Sequence, residues 1–202
     1  MYLSESVQGE PIAVTGVIAV PEAPAPAGGR PVVSVGPGTA GIADTCAPSR
    51  FTPQLDEAAR RLGLGEDRGD RLGGFADAGY VVAQTDYEGL GTPGGHPYLV
   101  GVSEGRGFLD AAQAARQLSD ADAGDRLALW GYSQGGHSVL WANQLADEWA
   151  PDLHLVGTVA GAPFSEQLAA FAGNGRRHGV HLHAPGRRVR PRRIPTPIRR
   201  WS

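Results

Sequence analysis

Apolar and polar positions alternate through PIAVTGVIAV, Pro11 to Val20, and the β-branched residues in the apolar places predict a strand with a period of two. The Pro/Gly cluster PEAPAPAGG that follows is a surface turn. RPVVSVGPG then carries its apolar residues on consecutive positions, which suits a strand covered on both faces, and YVVAQTD from Tyr80 to Asp86 is a third, buried strand. Between these two, PQLDEAARRLGL has helical spacing and GFADAG reads as a short helical turn. EGLGTPGGHPYLVG, Glu88 to Gly101, is a Gly-rich loop. The helix SEGRGFLDAAQAARQL comes next with two buried apolar stripes, and Ser103 is placed to be its N-cap. RLALWGYS is a fourth strand, GGHSVLWANQLADEW a helix, and LHLVGTVAGAP a fifth strand.

Strand and helix thus alternate from about residue 31 to residue 163, which builds a parallel sheet with helices on both faces and places the chain in the α/β class. A length of 202 residues is enough for one such domain and too short for two ordinary ones. After Phe171 the pattern stops. The remaining stretch holds four prolines and nine arginines without apolar periodicity, so it supplies neither a buried strand nor a packed helix. The expected organisation is a domain over residues 1–172 and a disordered Arg/Pro-rich tail over 173–202.

Charge sharpens that division. All 18 basic residues are arginines, every acid lies at or before Glu166, and nine of the arginines fall from Arg176 to Arg200. Nine arginines against 21 acids leave residues 1–175 at −12, while the tail carries +9. Such a tail is suited to phosphate or anionic-surface contacts, but only Trp201 offers stacking and nothing offers base readout, so no specific nucleic-acid partner is expected. Hydrophobic content of 41% with 19% charged residues is that of a soluble globular protein. Cys46 is alone and forms no internal disulfide. The start MYLSESVQGEPIAV has neither a basic nor an apolar segment, and no run reaches the roughly 18 apolar residues of a membrane span, so the chain as written is expected to be cytoplasmic.

The chemistry-bearing motif is Gly131-Tyr132-Ser133-Gln134-Gly135, a G-x-S-x-G sequence with an apolar strand, LALW, leading in and a helical pattern leading out. That context is the one a nucleophile elbow requires: the serine sits at the apex of a sharp strand-to-helix turn, and small flanking residues let its Oγ project above the sheet. The backbone N–H of Gln134 points from the first helical turn to where an oxyanion would form. A second donor is open to two readings. GPGTAG, Gly36 to Gly41, follows an earlier strand as the general pattern requires, whereas Asp86 stands at the end of the third strand and has the simpler alternative of capping its loop.

Three blocks carry a resemblance: GTAGIADTCAPS (Gly38 to Ser49), TDYEGLGTPGGHPYLVGVSEGR (Thr85 to Arg106) and GYSQGGHSVLWANQLADEWAPDLHLVG (Gly131 to Gly157). Together they make the chain similar to the secretory lipases of the fungal lipase A type and their bacterial relatives, within the α/β-hydrolase fold. The resemblance implies Ser133 as nucleophile, the Gln134 amide as one oxyanion donor and Asp86 at the position of the other. It further implies hydrolysis of acylglycerols or simpler esters, contact with a lipid–water interface, secretion of family members, and no metal or organic cofactor.

In this fold the acid and then the histidine follow the nucleophile. His137 lies one helical turn past Ser133 and reads as a packed helix residue. Asp147, Glu148 and Asp152 fall at the far end of that helix, roughly 20 Å away at 1.5 Å per residue, and His154 opens the next strand at the same end. Glu166 alone follows the fifth strand on the side where sites form, and is the candidate acid; His178, His181 and His183 belong to the tail. The resemblance places the acid and histidine later than this sequence runs. The expectation is therefore an incomplete α/β-hydrolase, truncated at both ends, whose activity is impaired. The alternatives are an inactive fragment whose basic tail holds anionic partners, and a small carboxylesterase using Glu166 with a tail histidine.

Overall fold

The computed structural model describes residues 1–50 and 70–165. Within them the strands are β1 (Tyr2–Glu5), β2 (Pro11–Val14), β3 (Gly16–Ala19), β4 (Arg30–Gly36), β5 (Val81–Thr85), β6 (Ala123–Tyr132) and β7 (His154–Gly161). The α-helices are α1 (Asp70–Asp77), α2 (Gly101–Gln117) and α3 (Gln134–Trp149). Five strands form one sheet in the order β3-β5-β4-β6-β7, parallel except for β3, which runs antiparallel to β5. The expected α/β arrangement is present, with its parallel centre made by the consecutive apolar runs.

The two faces of β4 show why those runs are continuous. Val32 packs with Phe108, Leu109 and Ala112 of α2 and with Val139 and Ala142 of α3, while Val33 and Val35 join Leu72 and Phe75 of α1 on the opposite face. A strand sandwiched in this way needs apolar residues at odd and even positions alike. Ser34 is the one polar residue among them, and its hydroxyl donates to the Phe108 carbonyl at 2.9 Å.

Three expectations are corrected. The alternating run from Pro11 to Val20 is two strands in two sheets, because the chain turns at Thr15: its carbonyl accepts the Asp86 N–H at 2.9 Å and its hydroxyl donates to the Leu90 carbonyl at 3.2 Å. β2 pairs instead with the unforeseen β1. Second, Ser103 does not cap α2. The helix begins at Gly101 with Val100 at the cap position, and Ser103 inside the first turn donates to the Glu88 carboxylate. The first helical position is a glycine because its backbone lies against the Trp141 ring, where any side chain would overlap it. Third, α1 starts at Asp70, earlier than the GFADAG turn. The helix expected over PQLDEAARRLGL lies outside the described residues, as does the boundary expected at 172.

Residues Met1–Ser165 form one compact unit and Glu166–Ser202 are grouped separately. At the sheet's margin β7 is paired with β6 alone among the described residues, and Val156 and Val159 on it are 48% and 57% exposed. No helix among the described residues is long and apolar enough to cross a membrane.

Candidate active site

β6 ends at Tyr132, α3 begins at Gln134, and Ser133 alone makes the turn, with φ 56° and ψ −114°. A positive φ of this kind costs a residue with a Cβ of order 1–3 kcal/mol and persists only where the surroundings impose it. They do so through backbone bonds on both sides: the Ser133 N–H donates to the Gly161 carbonyl at 2.9 Å, and its carbonyl accepts from His137 N–H at 3.0 Å.

Close packing of backbones accounts for the glycines. A Cβ on Gly135 would overlap the Gly36 carbonyl, and one on Gly131 would overlap the Gly135 carbonyl, so β4, β6 and the start of α3 touch through main chain at this point. Gly38 lies beside the serine, the position of a Cβ on it being 3.8 Å from Ser133 Cβ. The GPGTAG loop thus borders Ser133. It is fixed at its start by Tyr87, whose hydroxyl donates to the Pro37 carbonyl at 2.8 Å. Burial, reinforced by the negative Glu104, raises the Tyr87 phenol well above its ordinary range, so it stays a donor. Further along, the Thr39 and Tyr98 hydroxyls are 2.9 Å apart, joining this loop to HPYLVG.

The first turn of α3 presents the Gln134 N–H, one of the amides that an α-helix leaves without an intrahelical acceptor, and the dipole favours negative charge beside it. Asp86 is fully buried at the end of β5. Its N–H is engaged by Thr15, and its two carboxylate oxygens accept from the Ser49 N–H at 2.7 Å and the Ser49 hydroxyl at 2.5 Å. These bonds tie the end of β5 to Thr15 and Ser49, neither of which lies on the loop that follows the strand.

Glu104 was missed in the sequence and, among the described residues, is the carboxylate near the elbow with the most hydrogen-bond partners. It is 1% exposed. Its Oε1 accepts from Leu99 N–H at 3.0 Å and from the Gln134 side-chain amide at 2.8 Å; its Oε2 accepts from Ser138 hydroxyl at 2.8 Å and faces His137 Nδ1 at 2.8 Å. The Gln134 amide nitrogen also lies 3.0 Å from His96 Nε2, and His96 Nδ1 lies 2.8 Å from the Glu88 carbonyl. A signal existed: Glu104, Phe108, Ala111 and Ala115 are spaced as one helix face, and the other three are fully buried alanine or phenylalanine, so an acid heads an apolar stripe.

The remaining sequence candidates are not gathered here. His137 is buried with Nδ1 turned to Glu104, as its reading as a packed helix residue anticipated. Asp147, Glu148, Asp152 and His154 are exposed. His154 pairs with Arg126 near the start of parallel strands whose other ends reach Tyr132 and Gly161, roughly 20 Å off at about 3.3 Å per residue. Glu166, His178, His181 and His183 lie outside the described residues.

The Secretory lipase family model matches residues 72–174, about half of the chain, and includes two of the three sequence blocks that carried the resemblance. Lipase A of Moesziomyces aphidis is 32% identical over 117 residues, which are 57% of this chain and 24% of that protein. A probable inactive lipase of Mycobacterium tuberculosis is 31% identical over 168 residues, 82% of this chain and 36% of its own. Among solved structures, Candida antarctica lipase A in its closed state superposes with a TM-score of 0.60 at 28% identity, covering 78% of this chain and 35% of that one. The rice cell wall degrading esterase LipA of Xanthomonas oryzae, ligand-bound, gives 0.60 at 28% identity over 79% of this chain and 40% of that one. The chain therefore spans about a quarter to two fifths of the length of these relatives.

Proposed function

The chain belongs to the secretory lipase family, and from the elbow it carries we propose that its site is built for serine ester hydrolysis through an acyl-enzyme on Ser133. The observation that carries this is the serine's strained backbone at a helix N-terminus, held where main chain from β4, β6 and α3 meets. In the first half-reaction Ser133 Oγ attacks the ester carbonyl, its proton passes to a base, and the alcohol leaves; in the second, water releases the acid. The Gln134 N–H stabilises the tetrahedral oxyanion. We assign Asp86 to the second oxyanion position by its match to the family pattern. To fill it, the Asp86 backbone N–H must surrender its bond to the Thr15 carbonyl when substrate arrives, since the carboxylate oxygens that face Ser49 only accept.

The substrate class proposed is an acylglycerol or simpler ester. Ile42, Tyr98 and Tyr132 are exposed on segments bordering the serine, which supports contact with a lipid–water interface. Among the described residues, His96 and His137 are turned to other partners and His154 stands at the far end of the sheet, so these residues do not furnish the base. Lack of a triad base costs several orders of magnitude in rate. We therefore propose that the 202-residue chain by itself is an impaired hydrolase, a reading that the name of the mycobacterial relative also favours.

The test is hydrolysis of short- and long-chain p-nitrophenyl esters by the purified chain beside Ser133→Ala. We expect turnover close to that of the variant. Strong Ser133-dependent turnover would overturn the impairment and direct attention to Glu166→Gln and to substitution of His178, His181 and His183 together.

A further inference from the structure

The Glu88 carbonyl only accepts hydrogen bonds, so the His96 Nδ1 that faces it at 2.8 Å carries the ring proton and Nε2 presents a lone pair. Opposite that lone pair, at 3.0 Å, stands the side-chain amide nitrogen of Gln134, whose second hydrogen goes to Glu104 Oε1 at 2.8 Å. Both neighbours of the amide are acceptors. Turning it over would set its carbonyl oxygen against a carboxylate and a lone pair, so one orientation is imposed from two sides. The same Oε1 takes the Leu99 N–H, in a residue at φ 60°, which fastens the end of the HPYLVG loop to the first turn of α3.

From this junction we infer that Glu104 and His96 are positioning residues of the nucleophile elbow. They grip the Gln134 side chain and thereby orient the peptide that follows Ser133, whose N–H faces the developing oxyanion. This rests on the assignment of Ser133 as the nucleophile. The elements involved are far apart in sequence: Glu104 lies on α2, His96 on the loop before it, and Gln134 30 and 38 residues beyond them. A misplacement of about 1 Å near reacting atoms costs on the order of a hundredfold in rate, so a grip of this kind has catalytic weight without touching substrate.

The experiment uses the full chain, labelled with nitrogen-15. Long-range proton–nitrogen spectra of the histidine rings, with His96→Phe to assign the signal, are expected to give His96 as the Nδ1-protonated tautomer; an Nε2-protonated ring overturns the inference. Exchange of the Gln134 side-chain amide protons is expected to be slow in the wild type. It should quicken about tenfold or more in Glu104→Leu and stay slow in Glu104→Gln, whose carbonyl oxygen still serves Leu99 and Gln134. Unchanged exchange in Glu104→Leu also overturns it. Should that variant fail to fold, the tautomer and the wild-type and Glu104→Gln exchange rates decide the matter.

A second arm follows labelling of Ser133 by a fluorophosphonate. We expect the rate to fall about tenfold or more in His96→Phe and Glu104→Leu, and to be restored to within a few-fold in Glu104→Gln. Equal rates in all four proteins overturn the catalytic part of the inference. A wild type that labels no faster than Ser133→Ala speaks to the activation of Ser133, whose base the described residues do not supply, and the spectra then decide on the grip.

Discussion

A methyl group at Gly135 has no space except that of the Gly36 carbonyl oxygen, so Gly135→Ala must push β4 and α3 apart. We expect it to lower stability by about 3 kcal/mol, read from urea midpoints, whereas Gly38→Ala, with no neighbouring atom nearer than 3.6 Å, should stay within about 1 kcal/mol of wild type. Ser133 gives the opposite sign. Its φ of 56° is easy only for glycine, so Ser133→Gly is expected to raise the urea midpoint by an amount worth about 1 kcal/mol while removing any nucleophile. At this scale G-x-S-x-G was legible because its small residues answer a local need. Glu104 and His96 were not, since their meaning comes from partners that only the fold brings near.

The strands β4 to β7 were legible as elements because burial on both faces leaves a continuous apolar signature. β1 and β2 are four residues each and polar in part; β1 holds its place through contacts with distant helices, and β2 pairs with it. Ser4 hydroxyl donates to Asp110 Oδ2 at 2.6 Å, Trp149 Nε1 donates to Asp110 Oδ1 at 2.8 Å, and Arg106 pairs with Glu5 at 2.6 Å. Tyr2 is drawn in too: its hydroxyl donates to the Gly107 carbonyl at 2.9 Å and burial raises its phenol far above the ordinary range.

Burial also raises the Asp110 carboxyl, a shift that its bonds to Ser4 and Trp149 and the nearby Arg106 only partly oppose. An acid raised in the folded state binds protons more tightly there than in the unfolded chain. Its contribution to stability is therefore complete below the ordinary aspartate range, near 3.8, and is lost as pH rises through the raised value. Urea titrations of wild type and Asp110→Asn from pH 7 down to about 4 should show the wild type gaining on the variant as pH falls. A constant difference would mean that Asp110 titrates alike in both states.

For the whole molecule, the margin at β7 matters most. Its unpaired edge among the described residues, with Val156 and Val159 exposed, is a template for another chain. Val159→Lys is expected to raise the concentration at which light scattering first reports association, at little cost to the urea midpoint. The sheet was legible at this scale as an alternation of strand and helix. The antiparallel β3 was not, because the turn at Thr15 that redirects it depends on Asp86 and Leu90, about 70 residues on.

The strand order has a consequence in time. β4 lies at the centre of the five-stranded sheet and is the second of its strands to be synthesised, yet one of its two neighbours, β6, ends at Tyr132, 96 residues after Gly36. At roughly 5–20 residues per second, a ribosome takes about 5–20 s to supply it. Throughout that interval the nascent chain presents Val32, Val33 and Val35 beside an open ladder, and the serine turn cannot exist until the interval closes. The elbow is thus among the last parts of the sheet to be made, and any pause in translation before residue 123 lengthens the period in which a chaperone must shield β4.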